Sequence, residues 1–170
     1  MATISFPQEL FDQLTQHLGK AAESVAFMRC STPSEDGAFL VRSLHLVADN
    51  AITIGEDGEC ELDDDVRREV IMWATETEEC LVEAHSHGLL FRPARFSRFD
   101  LAQLSTWVPH VRWRLRGRPY AALVTASLDF DGLAWIGPEA ESVDTVTVDG
   151  RDAITTTGLS IKYIERSHDD

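Results

Sequence analysis

The octapeptide CLVEAHSH at Cys80–His87 is the segment that most narrows what this chain can become. It is short, apolar and bounded by polar stretches, which suits a strand. On a strand, alternate residues face the same way. Val82, Ala84 and Ser86 then point to a core, while Leu81, Glu83, His85 and His87 share the other side. Same-face neighbours lie roughly 6.5–7 Å apart at Cα, and two imidazoles so placed can converge on one cation at about 2.0–2.1 Å each. The segment therefore predicts a strand buried on one face and chemically equipped on the other.

A catalytic zinc takes three protein ligands and leaves a fourth position for water, whose pKa it lowers. Asp100 is the natural third ligand. It falls in the sequence Ser97-Arg98-Phe99-Asp100, after a spacer of nine residues beyond His87, where Ser97 is placed to start a helix. Ser-x-x-Asp before an apolar helical stretch also reads as a capping box, with Asp in place of Glu or Gln. The two readings are compatible, because the serine can cap while the aspartate binds metal. The chemistry further requires a general base that is not a ligand, usually a carboxylate.

The remaining pattern mixes strands and helices without a regular βαβ alternation, which predicts an α+β layered fold. Pro7 opens a helical stretch in which Phe6, Leu10, Phe11, Leu14 and Leu18 recur at helical spacing up to Gly19. A short apolar run follows at Ser24–Cys30, and strands are expected at Ala38–Val47 and Ala51–Ile54. Asp63, Asp64 and Asp65 suit the N-terminus of a second helix carrying Val66, Val70, Ile71 and Trp73. A third helix runs from Ser97 through Leu101, Leu104 and Trp107 to Pro109. Tyr120–Leu128 and Leu133–Ile136 read as strands joined by an Asp-Phe-Asp-Gly turn, and Asp149-Gly150 marks a hairpin between Thr145–Val148 and Arg151–Thr155.

Composition excludes several classes. The 170 residues suit one domain, 1–170, able to bury a core without disulfides. Cys30, Cys60 and Cys80 are odd in number and far apart, as expected of reduced thiols in a cytosol, with Cys30 and Cys80 packed as small side chains. No apolar run is long enough for a membrane span, and the N-terminus has no signal-peptide pattern. The net charge of −14 argues against general nucleic-acid binding. Seven of the fifteen basic residues nevertheless fall between positions 92 and 118, at Arg92, Arg95, Arg98, Arg112, Arg114, Arg116 and Arg118, with Asp100 alone opposing them. The spacing of the last four is that of a strand or extended loop able to meet an acidic partner; the plainer reading of the seven is a solvated strand face with a few helix-flanking arginines. His17, His45, His110 and His168 have no sequence partners, and Glu83 reads as solvent-facing or as support behind the histidines.

The set Glu23, His85-Ser86-His87, Ser97 and Asp100 resembles the signature of the JAB/MPN metalloproteases, the JAMM motif: a Glu far upstream, His-x-His, a loop, then Ser-x-x-Asp. The similarity extends over about residues 5–136, leaving 137–170 as a strand-rich tail. Two features depart from the family pattern: Gly88 stands where a proline is usual, and the spacer before Ser97 has nine residues rather than seven. The resemblance implies an MPN/JAB-like (cytidine-deaminase-like) layered fold, a mixed sheet flanked by helices. It implies Zn2+ held by His85, His87 and Asp100, Glu23 as general base, and Ser97 as a donor to the oxyanion. Glu23 is matched through AAESVAF, with Ala26 and Phe27 where the family has Gly and Leu. It also implies a cytoplasmic, bacterial, deubiquitinase-like peptidase or isopeptidase. The substrate bond would follow the C-terminal glycine of a ubiquitin-like protein, with the activating and conjugating enzymes of that system as further partners. The alternatives are a catalytically silent MPN-type scaffold and a zinc hydrolase of a small amide or thiocarboxylate.

Overall fold

The structure is a computed structural model that describes residues 1–20, 23–56, 59–88, 93–127 and 129–168. Its strands are β1 (Ala2–Phe6), β2 (Val25–Cys30), β3 (Ala38–Leu46), β4 (Ile52–Ile54), β5 (Cys60–Leu62), β6 (Cys80–Ser86), β7 (Tyr120–Ala126), β8 (Asp129–Trp135), β9 (Glu141–Val148) and β10 (Ile154–Thr155). The helices are α1 (Gln8–Leu18), α2 (Asp64–Thr75), α3 (Arg98–Arg114) and α4 (Leu159–His168).

The main sheet runs β1-β3-β2-β6-β7-β8-β9, and β9 pairs back onto β1. That last pairing closes seven strands into a barrel, so the expected layered, MPN/JAB-like fold is overturned. The closing seam is parallel and brings Phe6 opposite Val148. Across it Thr3 and Thr145 share a hydroxyl hydrogen bond of 2.9 Å, and Ser5 and Thr147 one of 2.7 Å. These hydroxyls alternate with Ala2, Ile4 and Phe6, which have at most 1% exposure. β1 is thus a strand of period two whose apolar side faces inward. Phe6, which its spacing groups with the apolar positions of the first helix, instead ends this strand. Pro7 then turns the chain, its fixed φ of −60° and missing N–H suiting the position before α1.

All seven barrel strands contribute to one buried cluster, which includes Ala26, Met28, Cys30, Val82, Ala84, Ala121 and Leu123. Alanines and cysteines stand among larger residues such as Phe6, Phe39 and Phe130 in filling this interior. At Gly132 on β8 there is no room for any: an added Cβ would lie 2.8 Å from Val143 Cβ and 2.9 Å from Leu123 Cδ2. The Asp-Phe-Asp-Gly run is therefore part of β8 rather than the expected turn. The chain reverses one step earlier, where Ser127 takes a φ of 60°; Leu128 lies outside the described residues. Cys30 and Cys80 face each other across β2 and β6 as buried free thiols.

The outer wall of the barrel forms a second cluster, in which Phe27, Leu81, Tyr120 and Val124 are covered by α2 and α3. Val66, Val70 and Ile71 supply the buried stripe of α2, and Leu104, Val108 and Val111 that of α3. The sequence reading ended α3 at Pro109, but the helix continues to Arg114. Proline inside a helix costs about 3 kcal/mol. Burial of Val108 and Val111 on either side of it offsets that cost, each contributing about 1.5–3 kcal/mol.

The arginine run is not a strand. Arg112 and Arg114 lie in the last turn of α3, followed by Arg116 at a φ of 57°. Arg112 donates to the carbonyls of Arg118, Gly117, Ile136 and Gly137, and Arg118 to those of Ala74, Thr77 and Glu79. These two guanidinium groups bond carbonyls at the end of α2, after α3 and after β8. Arg92 lies outside the described residues.

The expected hairpin at Asp149-Gly150 forms, with Gly150 at a φ of 73° and Ile154 opposite Val146. No helix among the described residues is long and apolar enough to cross a membrane.

Candidate metal centre

His85 sits in the middle of the sheet, opposite Val25 on β2 and Val124 on β7, and His87 follows just after β6 ends. The His87 N–H continues the ladder by donating to Thr125 O at 3.0 Å. The imidazoles converge, with Nε2 to Nε2 at 3.1 Å. From the far side comes the first turn of α3. Ser97 caps it: Asp100 N donates to Ser97 Oγ at 3.1 Å, and Ser97 N donates to Asp100 Oδ2 at 2.7 Å. That capping box holds the Asp100 carboxylate so that Oδ2 lies 3.0 Å from His87 Nε2 and 3.5 Å from His85 Nε2.

This triangle tests the zinc assignment. Tetrahedral bonds of about 2.0–2.1 Å separate ligand atoms by about 3.3–3.4 Å. The edges of 3.1, 3.0 and 3.5 Å fit that spacing, and among the described residues these three are the ones grouped for a metal ion. Two neutral nitrogens and one carboxylate oxygen form a suitable donor set for zinc.

The electrostatics tie the same groups together. Burial opposes the charge on Asp100, but hydrogen bonds from His85 and His87 outweigh it and hold the carboxyl well below the usual carboxylate range. Burial likewise opposes protonation of His85. Asp100, Glu83 and Glu23 overcome it, leaving the imidazole above its ordinary value.

Glu23 lies two residues before β2. Val25 lies opposite His85, and the next positions are joined by Ser86 N donating to Ser24 O at 3.0 Å and Ser24 N donating to Ser86 Oγ at 3.1 Å. The antiparallel register therefore brings Glu23 toward His87. Burial raises its pKa, and the nearby charges of His85 and His87 only partly reverse this. The Cys60 thiol on β5 lies against it and is itself pushed up to about 12, by burial first and then by Glu23. Gly88, where the family pattern has proline, takes a φ of 71°, a value the proline ring excludes. Of the loop that follows, residues 89–92 lie outside the described residues.

Beside the triangle a cavity of about 770 Å³ opens between β5, α2, α3 and the outer wall. Cys60, Leu62, Arg67, Glu83, His85, Asp100, Trp107 and His110 are among its lining residues. Glu83 is half-buried rather than solvent-facing. Its Oε2 accepts the Tyr120 hydroxyl, whose oxygen accepts Trp107 Nε1–H at 2.7 Å. Burial raises the Glu83 pKa, partly offset by the Tyr120 bond. The same-face spacing of Glu83 and His85 foreshadowed this arrangement. Nothing in the sequence placed Cys60 here, because the β4–β5 hairpin brings it from outside the barrel.

No known family's sequence profile matches this chain, and no curated protein matches it. Among solved structures, the solution structure of a protein from Desulfitobacterium hafniense is similar, with a TM-score of 0.53 at 13% identity, covering 87% of this chain and 94% of that one. The solution structure of a protein from Salinibacter ruber aligns with a TM-score of 0.48 at 21% identity, covering 91% of this chain and 96% of that one. The first likeness is one of fold alone.

Proposed function

We propose that this protein is a zinc-dependent peptidase or isopeptidase that hydrolyses the bond after the C-terminal glycine of a ubiquitin-like protein. The observation that carries the reading is the triangle of His85, His87 and Asp100, with edges of 3.0–3.5 Å, beside a cavity. With the fold a closed barrel, the likeness to JAB/MPN enzymes rests on these residues and on Glu23 and Ser97.

Bound zinc would polarise the scissile carbonyl and acidify water. Glu23, with its pKa raised by burial, takes a proton from the attacking water and returns it to the leaving amine. The Ser97 hydroxyl oxygen is engaged by Asp100 N, which leaves its proton for the carbonyl oxygen as that atom gains charge. Among the described residues β5 pairs only with β4, while Cys60, Glu61 and Leu62 line the cavity. An extended C-terminal tail fits there by adding a strand along β5.

Two measurements test this. Purified protein should carry close to one zinc per chain, lost in His85→Ala and in Asp100→Ala; a metal-free wild type would favour a silent scaffold instead. A fusion of the host's ubiquitin-like protein should be cleaved by wild type and not by Glu23→Gln, with zinc retained in that variant. Undiminished cleavage by Glu23→Gln would remove Glu23 from the mechanism.

A further inference from the structure

Asp131 is a carboxylate with no exposure, and its hydrogen bonds come from uncharged donors. Oδ1 accepts Gly132 N–H at 3.0 Å, while Oδ2 accepts both Ser160 N–H at 2.9 Å and Ser160 Oγ–H at 2.6 Å. Ser160 is the second residue of α4, so its N–H is one of the donors a helix start leaves unpaired, and a carboxylate there is favoured by the helix dipole.

The hydroxyl of Ser160 does more than bind Asp131. Its oxygen accepts the backbone N–H of Phe96 at 2.9 Å. Two residues before Phe96, the Ala94 carbonyl accepts the Thr157 hydroxyl at 2.7 Å, and Thr157 N–H is anchored on Phe130 O at 2.9 Å. The tail of the chain thus grips Ala94–Phe96 at two backbone groups. Phe96 is buried with its ring 5.6 Å from that of His85, and the next residue, Ser97, opens the capping box that aims Asp100.

We propose that Asp131 and Ser160 are positioning residues for the metal centre: by fixing the backbone at Phe96 they set where Ser97 and Asp100 stand relative to His85 and His87. This rests on the metal-centre reading above and adds the control of its geometry. Outer partners that orient metal ligands are typically worth about 10–100-fold in metal affinity. Ser160 acts through the backbone rather than on the ligand itself, so the lower end, about tenfold, is expected.

Zinc affinity of the full chain, measured by competition with a chelator at a temperature where every variant is folded, tests the proposal. Ser160→Ala should weaken zinc binding about tenfold, Asp131→Asn should weaken it in the same direction, and Ser160→Thr, which keeps the hydroxyl, should restore it to within about threefold of wild type. Val146→Ala, a barrel-interior change, controls for lost stability and should leave zinc affinity unchanged. The proposal is overturned if Ser160→Ala and Asp131→Asn bind zinc as wild type does, or if Val146→Ala weakens binding as much at equal loss of stability. A wild type that binds no zinc would instead overturn the metal-centre reading, and this inference with it.

Discussion

Ser97→Ala separates the capping role of one hydroxyl from the catalytic role proposed for it. In the structure Ser97 Oγ accepts Asp100 N–H at 3.1 Å, while the reciprocal bond, Ser97 N–H to Asp100 Oδ2 at 2.7 Å, uses only backbone from Ser97. Alanine removes the first bond and leaves the second, so Asp100 should keep its aim and zinc affinity should stay within about threefold of wild type, well below the tenfold or more expected when an outer partner is lost. Because Ser97 is exposed, water can reach the orphaned Asp100 N–H, and the lost cap should cost about 1 kcal/mol. For a chain of this size that lowers Tm by about 2–4 °C. If the hydroxyl also donates to the developing oxyanion, kcat should fall by about 10²–10³ with KM little changed. Calorimetry of the zinc-loaded protein and steady-state cleavage of a ubiquitin-like fusion read the two effects independently. A Tm drop of the predicted size with kcat within about twofold of wild type would confine Ser97 to capping and refute its catalytic role.

Three further outcomes follow from particular contacts. Gly132→Ala forces a Cβ to within 2.8 Å of Val143 Cβ and 2.9 Å of Leu123 Cδ2, and should destabilise the barrel by about 1–3 kcal/mol in urea unfolding; unchanged stability would mean the interior is looser than described. Stability of the zinc-free protein should fall as pH drops below about 4 and fall again as pH rises above about 6.5. Asp100, lowered from 3.8, loses its contribution as pH falls through its folded pKa, whereas His85, raised from 6.5, loses its contribution as pH rises through its own, with raised Glu23 acting in the same direction. Stability that instead climbs steadily from pH 6 to 9 would refute the coupling. With its pKa pushed up to about 12, Cys60 in the zinc-free protein should react with iodoacetamide at pH 8 at least about tenfold more slowly than in urea. Equal rates, mapped by mass spectrometry, would contradict its placement against Glu23.

Local chemistry was readable from residue order because it obeys local rules. The alternation in CLVEAHSH placed His85 and His87 on one face, and Ser-x-x-Asp specified a capped helix start with Asp100 in its first turn. Both hold in the structure, since strand period and cap geometry need only neighbouring residues. The same locality misled elsewhere. Arg112 to Arg118 alternates as a strand would, yet burial of Val108 and Val111 extends α3 past Pro109 and turns Arg112 inward. Asp129-Phe130-Asp131-Gly132 has turn composition, yet β8 requires a residue without a side chain opposite Leu123.

Sequence by itself thus determined the histidine strand, the helix start that carries Asp100, and the residue types able to hold zinc. Tertiary structure alone decided that the sheet closes. The β1–β9 seam joins Thr3 to Thr145 across nearly the whole chain, and its alternating hydroxyl and apolar residues would serve any strand equally well. Only tertiary structure, too, brought Cys60 to Glu23 and Ser160 to Phe96. Such contacts depend on where distant segments pack once the barrel has formed, and no periodicity within either segment encodes the other's position.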